Sequence, residues 1–93
     1  VTFDAVLSDT AELFVSNLAR DDRQAFYEAL DVLLSDPYAD GITKVALPFP
    51  YHLETFGFDY ADFWIAYIFE NPYALGIVAV YWSSKSPRYP LDI

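Results

Sequence analysis

Apolar and polar positions change period as the chain proceeds. From Thr2 to Leu7 they alternate, with Phe3, Ala5 and Leu7 set against Thr2, Asp4 and Val6, which predicts a short strand. Ser8, Asp9 and Thr10 then offer helix N-caps, Glu12 falls in the first turn, and Ala11, Phe14, Val15 and Leu18 recur at helical spacing. Arg20-Asp21-Asp22 breaks that pattern and supplies a second cap. Phe26, Ala29, Leu30, Leu33 and Leu34 follow as an apolar stripe, with Gln24, Glu28, Asp31 and Ser35 on the solvent side. Asp36-Pro37 ends this helix, because the residue before a proline resists the α conformation. The prediction for the first part of the chain is a strand leading into a hairpin of two amphipathic helices.

After Asp40-Gly41 the period shortens. Ile42 to Leu47 predicts a strand closed by Pro48-Phe49-Pro50, and Tyr51 to Phe56 predicts another, with Tyr51, Leu53 and Thr55 opposite His52, Glu54 and Phe56. Gly57 to Asp62 reads as a turn region. Phe63 to Phe69 is a strand with no polar face, Asn71-Pro72 a loop, and Gly76 to Trp82 the last strong strand, followed by an extended tail from Ser83 to Ile93. The expected architecture is α+β, one domain over residues 1–93. An N-terminal strand and a helical hairpin pack on one face of a small, mostly antiparallel sheet completed by three or four further strands. Alternation along Phe63–Phe69 puts Phe63, Ile65, Tyr67 and Phe69 on one face, suited to the core, and Trp64, Ala66 and Ile68 on the other.

Charge and composition narrow the chemistry. The chain carries a net charge of −9, and residues 1–40 hold nine acids against Arg20 and Arg23. Nucleic-acid affinity depends on lysine and arginine displacing counterions at phosphates, so an anion site is expected only in the second half, near Lys85 and Arg88. Cysteine is absent, which excludes disulfides, thiolate metal sites and a cysteine nucleophile and fits a reducing cytoplasm. No apolar run approaches the roughly 20 residues that span a bilayer, and no basic-then-apolar leader opens the sequence shown. There is no glycine-rich phosphate loop, nucleophile elbow or zinc spacing, so no cofactor or metal is expected.

The segments "TFDAVLSDTAELF", "DDRQAFYEALDVLLSDP", "GITKVAL", "YHL", "FWIAYIF" and "IVAVYW", in that order, resemble the RelE/ParE superfamily of bacterial toxins from Phe3 to about Tyr89. The resemblance implies a toxin encoded with a cognate antitoxin that wraps it, acting on mRNA at the ribosome as a metal-independent endoribonuclease or on a topoisomerase. In such proteins the strand matching Phe63–Phe69 commonly reads Tyr-Arg-x-x-Tyr. Here Trp64 stands where that arginine would fall, His52 follows Tyr51 where a second would fall, and Tyr67 matches the later tyrosine. The family's basic tail corresponds to Lys85-Ser86-Pro87-Arg88-Tyr89.

Catalytic candidates are therefore His52 as acid or base, with Lys85, Arg88 and Tyr89 as a phosphate-gripping tail. Each has a plainer reading: His52 as a surface residue beside Glu54, the others as a solubilising terminus. Lys44, Trp64 and Trp82 are candidates for partner or substrate binding; the plainer readings are an edge-protecting lysine and an aromatic core. The acidic helix residues Asp21, Asp22, Glu28 and Asp31 read as a solvated face, or as a surface that speeds association with a basic partner segment. Two functional readings result. One is a divergent or weakened toxin, because cleavage through a 2′-hydroxyl needs positive charge around the phosphorane and an arginine has been lost. The other is a non-enzymatic module of the same fold that uses the Trp64 face to hold a protein or to form a homodimer.

Overall fold

The computed structural model describes residues 2–47 and 55–85, except for the side chain of Lys85. The elements run β1 (Asp4–Leu7), α1 (Asp9–Ser16), α2 (Arg20–Ser35), β2 (Lys44–Ala46), β3 (Thr55–Tyr60), β4 (Phe63–Asn71), β5 (Ala74–Trp82) and a short 3₁₀ turn at Ser83–Lys85. The strands form one sheet in the order β1-β5-β4-β3-β2, parallel only between β1 and β5. The two helices cover one face, as the amphipathic pattern of the first 40 residues requires.

Of the three capping candidates before α1, Ser8 is the cap: its Oγ accepts from the Ala11 N–H at 3.1 Å. α2 starts without a side-chain cap. Its N-cap is Ala19, and Asp21 and Asp22 lie inside the first turn, where their charge faces the positive end of the helix dipole. That corrects the expectation of an Asp cap. The α1 C-terminus lacks a basic residue of its own, and Arg23 from α2 serves instead. Its Nε donates to the Val15 carbonyl at 3.3 Å and its Nη2 to those of Ser16 and Leu18 at 3.1 and 3.0 Å. One guanidinium thus satisfies the end of one helix and locks it to the start of the next.

Gly57 to Asp62 is not a turn region. Residues 55–60 form β3, and the turn is confined to Ala61 and Asp62, with Ala61 at φ 55°. Glycine and aspartate in this segment suggested a loop, but pairing with β4 on one side and β2 on the other overrides their low strand propensity. The expected strand from Tyr51 overlaps β3 only at Thr55 and Phe56; residues 51–54 lie outside the described part.

Two bulges interrupt the β4–β5 ladder. Tyr67 pairs with Ile77 while Ala66 pairs with Ala79, which leaves Val78 as the extra residue, and Glu70 is the extra residue between Phe69 and Asn71. The first resets the phase of β5, so Leu75, Ile77 and Val80 all reach the helix-side core although Ile77 and Val80 are three apart. It also frees the Val78 carbonyl, which accepts from Ser8 Oγ at 2.6 Å, while the Ser8 N–H donates to the Ile77 carbonyl at 2.9 Å. The α1 cap is therefore anchored to the bulge.

The main core lies between helices and sheet: Phe26, Leu30 and Leu33 of α2 and Val15 of α1 meet Phe58, Phe63, Ile65, Tyr67, Leu75, Ile77 and Val80. A second, smaller cluster of Leu47, Trp64 and Ala66, flanked by Val45, Ala79 and Tyr81, sits on the opposite face.

Candidate functional site

The face of the sheet turned away from the helices is where Trp64 of β4 points. Cross-strand partners share a face. One row there is Asp59, Trp64 and Tyr81, the next Gly57, Ala66 and Ala79, and the next Thr55, Ile68, Gly76 and Val6. Small residues occupy the middle of this floor, and Trp64 fills the space they leave. A Cβ on Gly57 would stand 2.7 Å from the indole Cζ2 and 3.2 Å from Leu47 Cδ2, so the ring lies directly on the β3 backbone. Trp64 is only 4% exposed, with Tyr81 tilted against it at 5.9 Å between ring centroids. It is a buried packing element rather than an open stacking platform.

Trp82 and Lys44 do not join it. Trp82 belongs to the helix side, stacked on Phe63 at 5.0 Å and edge-on to Phe14. Lys44 pairs with Phe58, whose ring lies in the main core, and its ammonium sits 5.7 Å from that ring's centroid and 3.9 Å from Asp40 Oδ2. The structure thus places Trp64 on one face, and Lys44 and Trp82 on the other. Catalytic candidates His52, Arg88 and Tyr89 lie outside the described residues, as does the Lys85 side chain, while the Lys85 backbone belongs to the 3₁₀ turn after β5.

Tyr67 also faces the main core. It is fully buried, stacked on Phe56, and its hydroxyl donates to the Pro37 carbonyl at 2.6 Å. Burial first, then the Asp40 and Asp36 carboxylates, push its phenol above the ordinary value, so it holds its proton. It can tie the end of α2 to the sheet, but it cannot reach a substrate on the other face.

Among the described side chains of the outer face, the charges are those of Asp4, Asp59 and Glu70. Asp59 is opposite Trp64 and accepts from Ser83 Oγ at 2.7 Å, and Glu70 lies over Gly76. Among the described residues no three His, Cys, Asp or Glu side chains gather as a metal ion would require, and no helix is long and apolar enough to cross a membrane.

Two arrangements escaped sequence reasoning. The Asp40 carboxylate accepts from the N–H groups of Ile42, Thr43 and Lys44 at 2.8–3.0 Å and from the Thr43 hydroxyl at 2.7 Å. These bonds, the Lys44 and Ile42 N–H groups foremost, hold its carboxyl well below the usual carboxylate range. Asp40-Gly41 with a threonine two residues on is the local signal, read above only as a boundary; Gly41 supplies the positive φ of 77° that the turn needs. The other is an open groove of about 620 Å³ on the helix side, lined by Leu7, Asp9, Glu12, Leu13, Val15, Ser16, Arg23 and Tyr27. Nothing in the helical periodicity marks it, because it arises from how the two helices meet β1.

No protein-family model matches the chain, and no curated protein matches it significantly. Solved structures do. A chain of the archaeal RelE–RelB complex from Pyrococcus horikoshii superposes with a TM-score of 0.67 at 14% identity, covering 92% of this chain and 100% of that one. A chain of the RelBE2 toxin–antitoxin complex from Mycobacterium tuberculosis gives 0.66 at 21% identity, covering 88% and 99%. The fold is that of a RelE-like toxin.

Proposed function

We propose that this chain is the toxin-like component of a toxin–antitoxin pair, a divergent member that an antitoxin protein holds and whose RNA-cleaving capacity is weak or lost. The fold supports the first part: both solved neighbours are chains of complexes, one described as RelE–RelB and the other as toxin–antitoxin. One observation supports the second. Trp64 is buried opposite Asp59 at the position where the resembled family commonly carries an arginine. An electrostatic stabiliser of that kind commonly contributes on the order of 100-fold or more in rate. An indole contributes no charge to stabilise the developing anion. Residual cleavage would have to rest on His52, Lys85, Arg88 and Tyr89.

Expression of the chain alone in a bacterium tests this, together with incubation of purified chain with labelled mRNA, with and without ribosomes. The expected result is little or no growth arrest, no specific cleavage and, when an adjacent reading frame is co-expressed, co-purification with its product. Strong arrest with mRNA cleavage that His52→Ala abolishes would overturn the weakened-toxin reading. Arrest without mRNA cleavage would point to another target, such as a topoisomerase.

A second reading, a non-enzymatic module that binds a protein through its outer sheet face, draws support from the exposed Val6 and Val78 on the β1–β5 side of the sheet. Protein capture lost on Val6→Asp, with growth unimpaired and no co-encoded partner, would select it.

A further inference from the structure

β1 closes one side of the sheet, and no described strand lies beyond it. Its backbone has a satisfied side and an open one. The Asp4 and Ser8 N–H groups donate to the Tyr73 and Ile77 carbonyls, each at 2.9 Å, so the even residues of β1 are committed toward β5. Successive residues of a strand turn their N–H and C=O groups to opposite sides, so the odd residues face outward. At the start of the strand that outward side is closed, because the Phe3 N–H donates to the Leu34 carbonyl at 3.0 Å. At its end Ser8 becomes the cap of α1. What stays open is the N–H and C=O groups of Ala5 and Leu7. Between them Val6 points to the outer face, 58% exposed, and shares a hollow with Gly76 and the 40% exposed Val78.

We propose that this edge pairs with β1 of a second copy of the chain, antiparallel about a two-fold axis at Val6, so that two five-stranded sheets become one. Register selects this occupant. With Val6 opposite its own counterpart, Ala5 of each copy faces Leu7 of the other, and each such pair exchanges both N–H···O=C bonds. Every open group of the edge is then used. An axis at Ala5 would set Leu7 against Phe3, whose N–H is already given to Leu34, and an axis at Leu7 would set Ala5 against Asp9, which is in α1. The Val6 pair is the non-hydrogen-bonded kind, with Cα atoms about 4.5 Å apart, so the two exposed valines cover each other. Asp4 falls opposite Ser8, which is still extended at ψ 165°, rather than opposite another carboxylate. On the helix side a small Ala5 meets a large Leu7, which there borders an open groove. What the edge needs opposite Ala5-Val6-Leu7 is two residues with open backbone groups flanking an exposed apolar side chain, and β1 itself supplies that. Each copy carries −9, so pairing works against a repulsion that salt screens. Two bonded residues a side make a seam smaller than the roughly 800 Å² per partner of a standard interface, so the dimer is weak and grows with concentration. The inference does not depend on the toxin reading.

Sedimentation of the full chain over a concentration series should show a reversible monomer–dimer equilibrium that tightens as salt is added, the opposite of the response to a cationic partner. Register is read by disulfide formation, since the chain has no cysteine of its own. Val6→Cys should cross-link two copies under mild oxidation at least roughly tenfold faster than Asp4→Cys, because only position 6 meets its own counterpart within the Cα reach of a disulfide, about 4.4–6.8 Å. Val6→Lys places like charges directly opposite and should weaken the dimer by roughly tenfold. Val6 is largely exposed in the monomer, so the melt of a dilute sample should be little changed by either substitution. A chain that stays monomeric at about 1 mM in about 1 M salt overturns the proposal. So does a dimer in which the two cysteine variants cross-link equally fast, or one that Val6→Lys leaves intact, since the contact then lies elsewhere. Capture of an extended peptide on β1 by a chain that does not associate with itself overturns it too, and assigns the edge to a partner strand.

Discussion

Trp64 lies on Gly57, its diagonal neighbour across the β3–β4 ladder, so closely that a Cβ at position 57 would stand 2.7 Å from the indole. The absent side chain of one residue makes the seat for the largest side chain of the outer face. Gly57→Ala should therefore destabilise the fold by about 1–3 kcal/mol through overpacking. The cost should shrink in a Trp64→Leu background, where the ring is gone. Urea unfolding of the two single variants and the double variant measures this coupling. Equal costs in both backgrounds would mean that the ring does not depend on the glycine.

Arg23 joins two helices through three carbonyls of the α1 terminus. Arg23→Ala should lower stability by about 1 kcal/mol, the modest figure reflecting partial exposure of these charge-assisted bonds. Arg23→Lys should recover little, because one ammonium cannot reproduce the planar fork. Loss of far-UV helical signal ahead of the main unfolding transition would locate the damage in α1.

Tyr67 donates to the Pro37 carbonyl from inside the core. Tyr67→Phe removes the donor and leaves a buried acceptor, at a cost of about 1–2 kcal/mol in urea unfolding. Its raised phenol gives a second readout. Stability from keeping this group neutral is fully present below the phenol's ordinary value of about 10 and is lost as pH rises beyond it. The phenylalanine variant should therefore lose less stability than wild type above that pH.

Asp40 gathers the N–H groups of Ile42, Thr43 and Lys44 around an ionised carboxylate. Its folded value is depressed, so its contribution is present above the ordinary carboxylate value of about 4 and fades as pH falls toward the folded one. The gap in urea midpoint between wild type and Asp40→Ala should be constant near neutrality and close in acid. A gap that does not change with pH would mean that the carboxylate charge is not what orders the turn.

Much of the architecture was legible because it is locally encoded. The Phe26–Leu33 stripe fixes the buried face of α2, Asp36-Pro37 ends it, and strict alternation in Phe63–Phe69 separates Tyr67 from Trp64. The outer face proved harder to read. Lys44, Trp64 and Trp82 looked like one binding set, yet only Trp64 is on that face, because strand pairing and the Val78 bulge decide where each side chain points. Gly57 looked like a turn residue because its role, making room for a ring seven positions away, has no local signature.

By itself, then, the order of residues determined the helical hairpin, the α+β class and the apolar identity of both faces of β4, since each follows from side-chain periodicity within one segment. Tertiary structure alone decided that Trp64 is covered, that Arg23 and Tyr67 are tied to backbone carbonyls, and that the open acidic groove lies between the helices. Those outcomes depend on register, bulges and close approach between segments far apart in the chain, and period within a segment carries no information about them.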